Sequence, residues 1–271
     1  GWKKVGIVAP NYAYGQDAAK AFKEYFLQIV PDGEVVLEQF PEFNEDNFTP
    51  IINAITAKKP DFVFSAFFGP FVVPFWKQWK ASGADQTIPA ITGLVDTPTW
   101  EVLESADDIP ANAWAYSRGT GVTLSKTPTG KIANDLYVAA YGDSDHPLPS
   151  AWAYAAVSGV QMAKALIEKT GSLDPNAWVA AVEKGDFTFD SVYQDKPIGV
   201  NPINHMADTC AQVGLNIWDD SLPLPGTFDP SNIKTYCMHD ILPMDEAAKI
   251  TTNPDITPEA VDAYKQISGT Q

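Results

Sequence analysis

Short apolar runs and helix-period stripes alternate through the first 115 residues, and few folds accommodate that rhythm. Lys4 to Ala9 is a short strand-like run rich in β-branched residues, followed by the turn Pro10-Asn11-Tyr12-Ala13. Ala18, Ala21, Phe22, Tyr25, Phe26 and Ile29 then recur at the i, i+3, i+4, i+7 spacing of an amphipathic helix. Pro31-Asp32-Gly33 ends that helix, and Glu34 to Phe40 reads as a second strand. Asn47 stands where a helix cap belongs, ahead of Ile51, Ile52 and Ile55, and Pro60 stops the helix before the strand Asp61 to Ala66. A helix over 71–82, a strand over 88–92, a short helix over 98–104 and a strand over 111–116 complete the series. Strands and helices at this spacing imply βαβ units, hence a mostly parallel, doubly wound sheet with helices on both faces. Such sheets bind ligands at the carboxyl ends of their strands. Those ends fall near Asn11–Tyr14, Phe67–Phe71 and Gly93–Asp96.

The second half keeps another rhythm. A helix is expected over 127–141 and another over 150–170, with Trp152, Ala155, Ala156, Gly159, Val160, Ala163 and Ile167 as its buried stripe. A third begins at Asp174-Pro175, where Asp caps and Pro fits the first turn. Trp76, Trp79, Trp152 and Trp178, at helical spacing, are expected in the core. After Gly185 come short strands and Pro-rich loops. These helices want a sheet that the sequence does not fully supply.

Charge and composition narrow the function classes. With 18 Lys+Arg against 34 Asp+Glu, the formal net charge is −16, which repels polyanions and argues against nucleic acid as a partner. No run of 18 apolar residues occurs, so no transmembrane helix is expected. Gly1 leads almost directly into a strand without a leader-like stretch. The expectation is a signal peptide absent or already removed, and an upstream stretch missing. There is no Gly-x-Ser-x-Gly elbow, Walker loop or dinucleotide glycine fingerprint. His146, His205 and His239 are isolated, and no metal-ligand spacing occurs. No cofactor, metal or catalytic group is therefore expected. An α/β enzyme stays as the weaker alternative, to be decided by a turnover assay. Cys210 and Cys237 form an even pair: a disulfide closing that loop stabilises by about 3 kcal/mol in the chain-entropy model, with two buried free thiols as the competing reading.

Several stretches, in order, resemble the branched-chain amino acid (Leu/Ile/Val) family of periplasmic substrate-binding proteins. Lys4-Val5-Gly6-Ile7-Val8 followed by Tyr14-Gly15-Gln16 resembles the opening of that family's second lobe. Phe48-Thr49 through Ile55 and Lys59-Pro60-Asp61-Phe62-Val63 resemble its next helix and strand, and Trp76-Lys77-Gln78 with Ser82-Gly83 the helix after. Tyr137 to Gly142 with Ala153 to Val157 resembles a helical pair, and Asn204-His205 a late position at a strand end. The resemblance spans most of residues 3–217. It implies a type I periplasmic-binding-protein-like α/β fold, with 1–117 a complete Rossmann-like lobe (the family's lobe two). Residues 118–217 are then the C-terminal part of lobe one, incomplete and joined by hinge strands, and 218–271 a tail and loops returning toward the hinge. The N-terminal part of lobe one, about a third of the family's length, is expected to be missing. The implied function is capture of a small carboxylate-type solute by hinge closure and delivery to the membrane permease of an ABC transporter, in the periplasm or outside the cell. A ligand-sensing receptor ectodomain with the same lobes is the alternative.

The resemblance and the strand-end rule together nominate site residues. Tyr14 stands where the family has a ligand-contacting tyrosine, with Tyr12 on the same loop; packing at the helix start is the competing role. Phe67-Phe68-Gly69-Pro70-Phe71 places three phenylalanines at a strand-to-helix turn, where polar residues are usual. Phe68 resembles an aromatic ligand contact, Gly69 is expected to let backbone approach closely, and rings packed under a neighbouring loop are the alternative. In Thr92-Gly93-Leu94-Val95-Asp96, Leu94 stands near the position of the acid that holds a ligand ammonium in amino-acid-binding relatives. Asp96 is either that acid or the cap of the helix at Thr97-Pro98. Arg118, in the polar crossover Ser117-Arg118-Gly119-Thr120-Gly121, is a candidate fork for a ligand carboxylate or a hinge salt bridge. Leu94 and the phenylalanines together shift the expected ligand toward an apolar or aromatic acid.

Overall fold

The computed structural model describes residues 1–117, 127–222, 224–241 and 256–268. By contacts the chain divides into two compact units, one of Gly1–Ser117 with Val213–Lys234, the other of Arg118–Gln212 with Thr235–Gln271. The chain therefore passes between units at three places, after Ser117, after Gln212 and after Lys234.

The first unit holds β1 (Lys4–Val8), α1 (Ala13–Ile29), β2 (Glu34–Gln39), α2 (Thr49–Lys58), β3 (Phe62–Ser65), α3 (Val72–Ala81), β4 (Ala90–Leu94), α4 (Thr97–Trp100) and β5 (Ala113–Ser117). Neighbouring strands run parallel in the order β2-β1-β3-β4-β5. β8 (Cys210–Trp218) lies beyond β5 and carries β9 (Gly226–Phe228) antiparallel on Asn216–Trp218. Residues 213–234, distant in sequence, thus extend this sheet. Asn216 fixes them there: its side-chain N–H donates to the Ala113 carbonyl at 2.8 Å, and its Oδ1 accepts from the Trp100 indole at 3.4 Å.

The strands bury their apolar residues on both faces, as a helix-covered parallel sheet requires. One core joins Ile52, Ile55, Val63, Phe75, Trp76 and Trp79; the other joins Val5, Ile7, Ala19, Phe26 and Phe62. On α1 the inward face is Gly15, Ala19 and Phe26 with Phe22, while Tyr25 and Ile29 of the expected stripe are exposed. Lys59 ends α2 in the left-handed conformation, its N–H on the Ile55 carbonyl, and Asn47 Oδ1 accepts from the Thr49 N–H at 3.3 Å.

The second unit is helical. α5 (Pro128–Tyr141) starts at Thr127, α6 (Ala151–Thr170) at Ser150 and α7 (Pro175–Val182) at Asp174, each capping oxygen accepting a first-turn N–H. Among the described residues its own sheet is one antiparallel pair of two-residue strands, β6 (Thr188–Phe189) and β7 (Ile198–Gly199). A small core gathers Leu166, Val182, Phe187, Phe189 and Ile198, and α9 (Pro258–Ser268) lays Tyr264 and Ile267 against Gly199. Asn204-His205 sits in a turn after β7 rather than at a strand end, with His205 at φ +57°.

The expected buried stripe of α6 is overturned. Trp152 is 60% exposed and Val160 71%, with Ile167 also exposed; the inward residues are Ala151, Tyr154, Ser158 and Leu166. Tyr154 and Val192 form a small core there, and Ser158 and Ser191 hydroxyls meet at 2.8 Å. The reason is supply: α7, β6 and α5 pack on one side of α6, and its apolar stripe stays exposed. α5 shows the same pattern, with Ile132 and Leu136 exposed.

Cys210 and Cys237 are bonded. They join the start of β8 to the end of β10 (Lys234–Cys237), just before α8 (Met238–Ile241). Asp208 reinforces the junction, accepting the His239 backbone N–H at 3.1 Å and facing its Nδ1 at 2.7 Å.

Candidate functional site

The strand order places the topological switch of the first unit's sheet between β1 and β3, where connections leave in opposite directions and open a crevice at the carboxyl ends. Five aromatic rings gather there, from the loops after β1 and β2, the first turn of α1 and the turn after β3.

The loop after β1 is held by backbone bonds to the loop after β2, Asn11 N–H donating to the Pro41 carbonyl at 2.7 Å. Gly15 lets it fold onto the first turn of α1, since a Cβ there would stand 2.0 Å from the Pro10 oxygen. Tyr12 and Tyr14 are thereby presented together, ring centroids 5.9 Å apart. The loop after β2 adds Phe43, nearly perpendicular to Tyr12 at 5.3 Å. After β3, Phe68 meets Tyr14 edge-on at 5.5 Å, and Phe71 lies 4.3 Å from Phe43 and 6.2 Å from Phe68. Tyr14 and Phe43 remain 40% and 43% exposed, and Tyr12, Phe68 and Phe71 are half-buried. The result is a continuous aromatic surface facing outward. Burial, with Tyr116 and Tyr12 nearby, pushes the Tyr14 hydroxyl up to about 12, so it stays a neutral donor and acceptor at ordinary pH.

Phe43 is absent from the sequence-derived candidates. The strand-end rule that selected its neighbours applies equally to the loop after β2, and Phe43 is the aromatic in that loop's acidic stretch.

Other candidates lie elsewhere. Phe67 points into the core, 4% exposed, its ring 5.3 Å from Phe48 and 5.5 Å from Phe75. Gly69 is needed for its backbone, at φ +57°, and not for a close approach: a Cβ there would meet open space. Thr99 Oγ1 donates to its carbonyl at 2.9 Å, tying the phenylalanine turn to α4. Thr92 is buried, its Oγ1 accepting from the Trp76 indole at 3.1 Å and from Ser65 at 3.3 Å. Leu94 is buried as well. Asp96 is buried at the start of α4, where its backbone carbonyl, rather than its carboxylate, accepts the Thr99 and Trp100 N–H groups. Arg118 lies outside the described residues.

Among the described residues no cluster of three or more His, Cys, Asp or Glu is placed to hold a metal, and no helix is long and apolar enough to cross a membrane. The arrangement offers ring faces, ring edges and two tyrosine hydroxyls. That equipment suits binding.

Comparison with known proteins agrees with this architecture. The family model described as periplasmic binding protein matches residues 1–214. Among solved structures, the amino acid ABC transporter substrate-binding protein from Pseudomonas fluorescens Pf-5 superposes with a TM-score of 0.67 at 14% identity, over 96% of this chain and 62% of that one. The ABC transporter solute-binding protein from Rhodopseudomonas palustris HaA2 in complex with p-hydroxybenzoic acid gives 0.66 at 19%, over 88% and 61%. The leucine-, isoleucine-, valine-, threonine- and alanine-binding protein from Brucella ovis gives 0.61 at 16%, over 88% and 58%. This chain thus spans about three fifths of the length of these structures. A search of curated proteins finds no significant match. With a parallel sheet of order β2-β1-β3-β4-β5, helices on both faces and a family match over residues 1–214, the chain belongs to the periplasmic binding protein family.

Proposed function

We propose that this chain is the greater part of an extracytoplasmic solute-binding protein that captures a small carboxylate-type molecule, an amino acid or an apolar or aromatic acid. It passes the solute to the membrane permease of an ABC transporter and catalyses nothing. One observation carries the reading: the aromatic surface of Tyr12, Tyr14, Phe43, Phe68 and Phe71 at the switch point of the first unit's sheet. Rings held open to solvent by a rigid scaffold mark a ligand surface, since a monomer gains nothing from exposing them. The ligands named for similar structures, amino acids and p-hydroxybenzoic acid, have the size and apolar character such a surface accepts.

In this reading Gly1–Ser117 acts as one lobe together with Val213–Lys234, which extend its sheet, and the helical unit is the C-terminal part of the other lobe. Three passages of chain between the units are what a hinged pair of lobes needs. The exposed apolar stripe of α6 and α5 supports the idea that lobe one is completed by sheet not contained in residues 1–271. The place of action is the periplasm or the cell exterior, consistent with the Cys210–Cys237 bond.

Thermal-shift screening of amino acids, benzoates, phenylpropanoids and dicarboxylates tests the reading. A saturating ligand at 100 times its Kd stabilises by about 2.7 kcal/mol, so a clear rise in Tm is expected for at least one class. No rise with any class, or turnover of any of them, would contradict it.

A further inference from the structure

The chain crosses between its two units after Ser117, Gln212 and Lys234, and the strands at those crossings are neighbours, in the order β10-β8-β5. Cys210 lies two residues before Gln212, where the chain leaves the second unit, and Cys237 two residues after Thr235, where it returns. Their bond therefore ties the outgoing and returning passages together on the second unit's side. The loop that it closes runs through the first unit as residues 213–234. Hydrogen bonds surround the junction. The Met238 N–H donates to the Thr209 carbonyl at 3.0 Å, and Asp208 holds the His239 N–H at 3.1 Å. Gln194 Nε2 donates to the Asp208 carbonyl and to Cys210 Sγ, each at 3.2 Å. Both cysteines are half-buried, while Lys234, Thr235 and Tyr236 beside them are exposed, so a small thiol can reach the bond.

Resting on the reading that the two units move about these passages, we propose that Cys210–Cys237 is a redox-set clasp on the hinge. Oxidised, it makes two of the three passages move as one; reduced by a dithiol, it lets each move alone. The step is a thiol–disulfide exchange. A thiolate of the reductant attacks one sulfur, the bond between the cysteines breaks, and the other sulfur leaves with the electron pair and takes a proton. The reductant's second thiolate then displaces the first sulfur, which is protonated in turn. The chain has gained two electrons and two protons, and the reductant ends as its own disulfide. Gln194 is placed to donate to a thiolate at Cys210. The backbone bonds of Met238 to Thr209 and of His239 to Asp208 do not need the disulfide, so the thiols stay close and the bond can form again. Position is what makes this a hinge device: a cross-link at the roots of an excursion into the other unit restrains that excursion first.

Amide hydrogen exchange read by mass spectrometry tests this on the whole chain without any solute. The chain is compared oxidised, reduced with dithiothreitol, and as the Cys210→Ser/Cys237→Ser double variant. Labelling is kept short enough that β1 and β3 stay protected in every state, so that local opening is read and not global unfolding. Reduction is expected to speed exchange of residues 207–215 and 234–239 about tenfold, the double variant to match the reduced chain, and reoxidation to restore the slow rate. Exchange in α6 and α7 should stay within about twofold. Unchanged exchange at both passages overturns the clasp, because the remaining bonds then hold them unaided. An equal acceleration through α6 and α7 overturns it as well, making the bond a staple of the second unit's fold. Either result leaves the solute-binding reading to the thermal-shift screen, and failure of that screen leaves the exchange result in place.

Discussion

Phe67 and Phe68 are adjacent and chemically identical, yet one packs against Phe48 and Phe75 and the other meets Tyr14 at the strand tips. Their substitutions should separate cleanly. Phe68→Ala is expected to weaken solute binding by about 1–3 kcal/mol with Tm nearly unchanged. Phe67→Ala should cost about 3–5 kcal/mol of stability by opening a core cavity. Denaturant melts and titrations on both variants check this, and the reverse assignment would mean that the turn is misdrawn. The sequence marks the whole aromatic run as unusual, but which ring turns inward depends on α3 and Phe48, and no local pattern reports that. Tyr14 and Tyr154 give a pH signature. Burial lifts each from the ordinary 10.0 to about 12, with Tyr116 and Tyr12 adding to the effect at Tyr14 and Asp135 at Tyr154. The unfolded chain loses these protons near pH 10 while the folded chain keeps them. Their stabilisation is therefore full below pH 10 and lost as pH rises toward 12. A spectroscopic tyrosine titration should show late-ionising groups, and one uniform transition near 10 would exclude that burial.

At the scale of elements, the doubly wound order β2-β1-β3-β4-β5 follows from features visible in the sequence. Short apolar runs, helix-period stripes and breakers such as Pro60 at the end of α2 are local, and the right-handed βαβ rule does the rest. The addition of β8 beyond β5 is not legible that way, because Asn216 reaches the Ala113 carbonyl across 103 positions. The outward stripe of α6 escapes the sequence for a related reason: periodicity identifies an apolar face and says nothing about whether a partner covers it. β8 and β10 offer a direct check. Replacing Cys210 and Cys237 by Ser should lower stability by about 3–4 kcal/mol in the chain-entropy model, given their separation of 27 residues. The oxidised chain should weigh two hydrogens less than the reduced one, and equal masses would exclude the bond.

For the molecule as a whole, the two units differ in how fully they bury their apolar surface. The first closes around two cores, while the second leaves Trp152, Val160, Ile132 and Leu136 on the surface. Val160→Lys should therefore change the stability of this 271-residue chain by no more than about 0.5 kcal/mol, the range of ordinary surface substitutions. A loss of several kcal/mol would show that this face is already covered. The central claim, that the ring-bearing strand tips receive a small solute, is tested most directly by a ¹H–¹⁵N NMR titration of the chain with leucine, phenylalanine and 4-hydroxybenzoate. The account predicts saturable shifts for at least one of them, confined mainly to residues 11–14, 42–43 and 68–71. Saturable shifts gathered elsewhere, with these positions unmoved by all three, would contradict it.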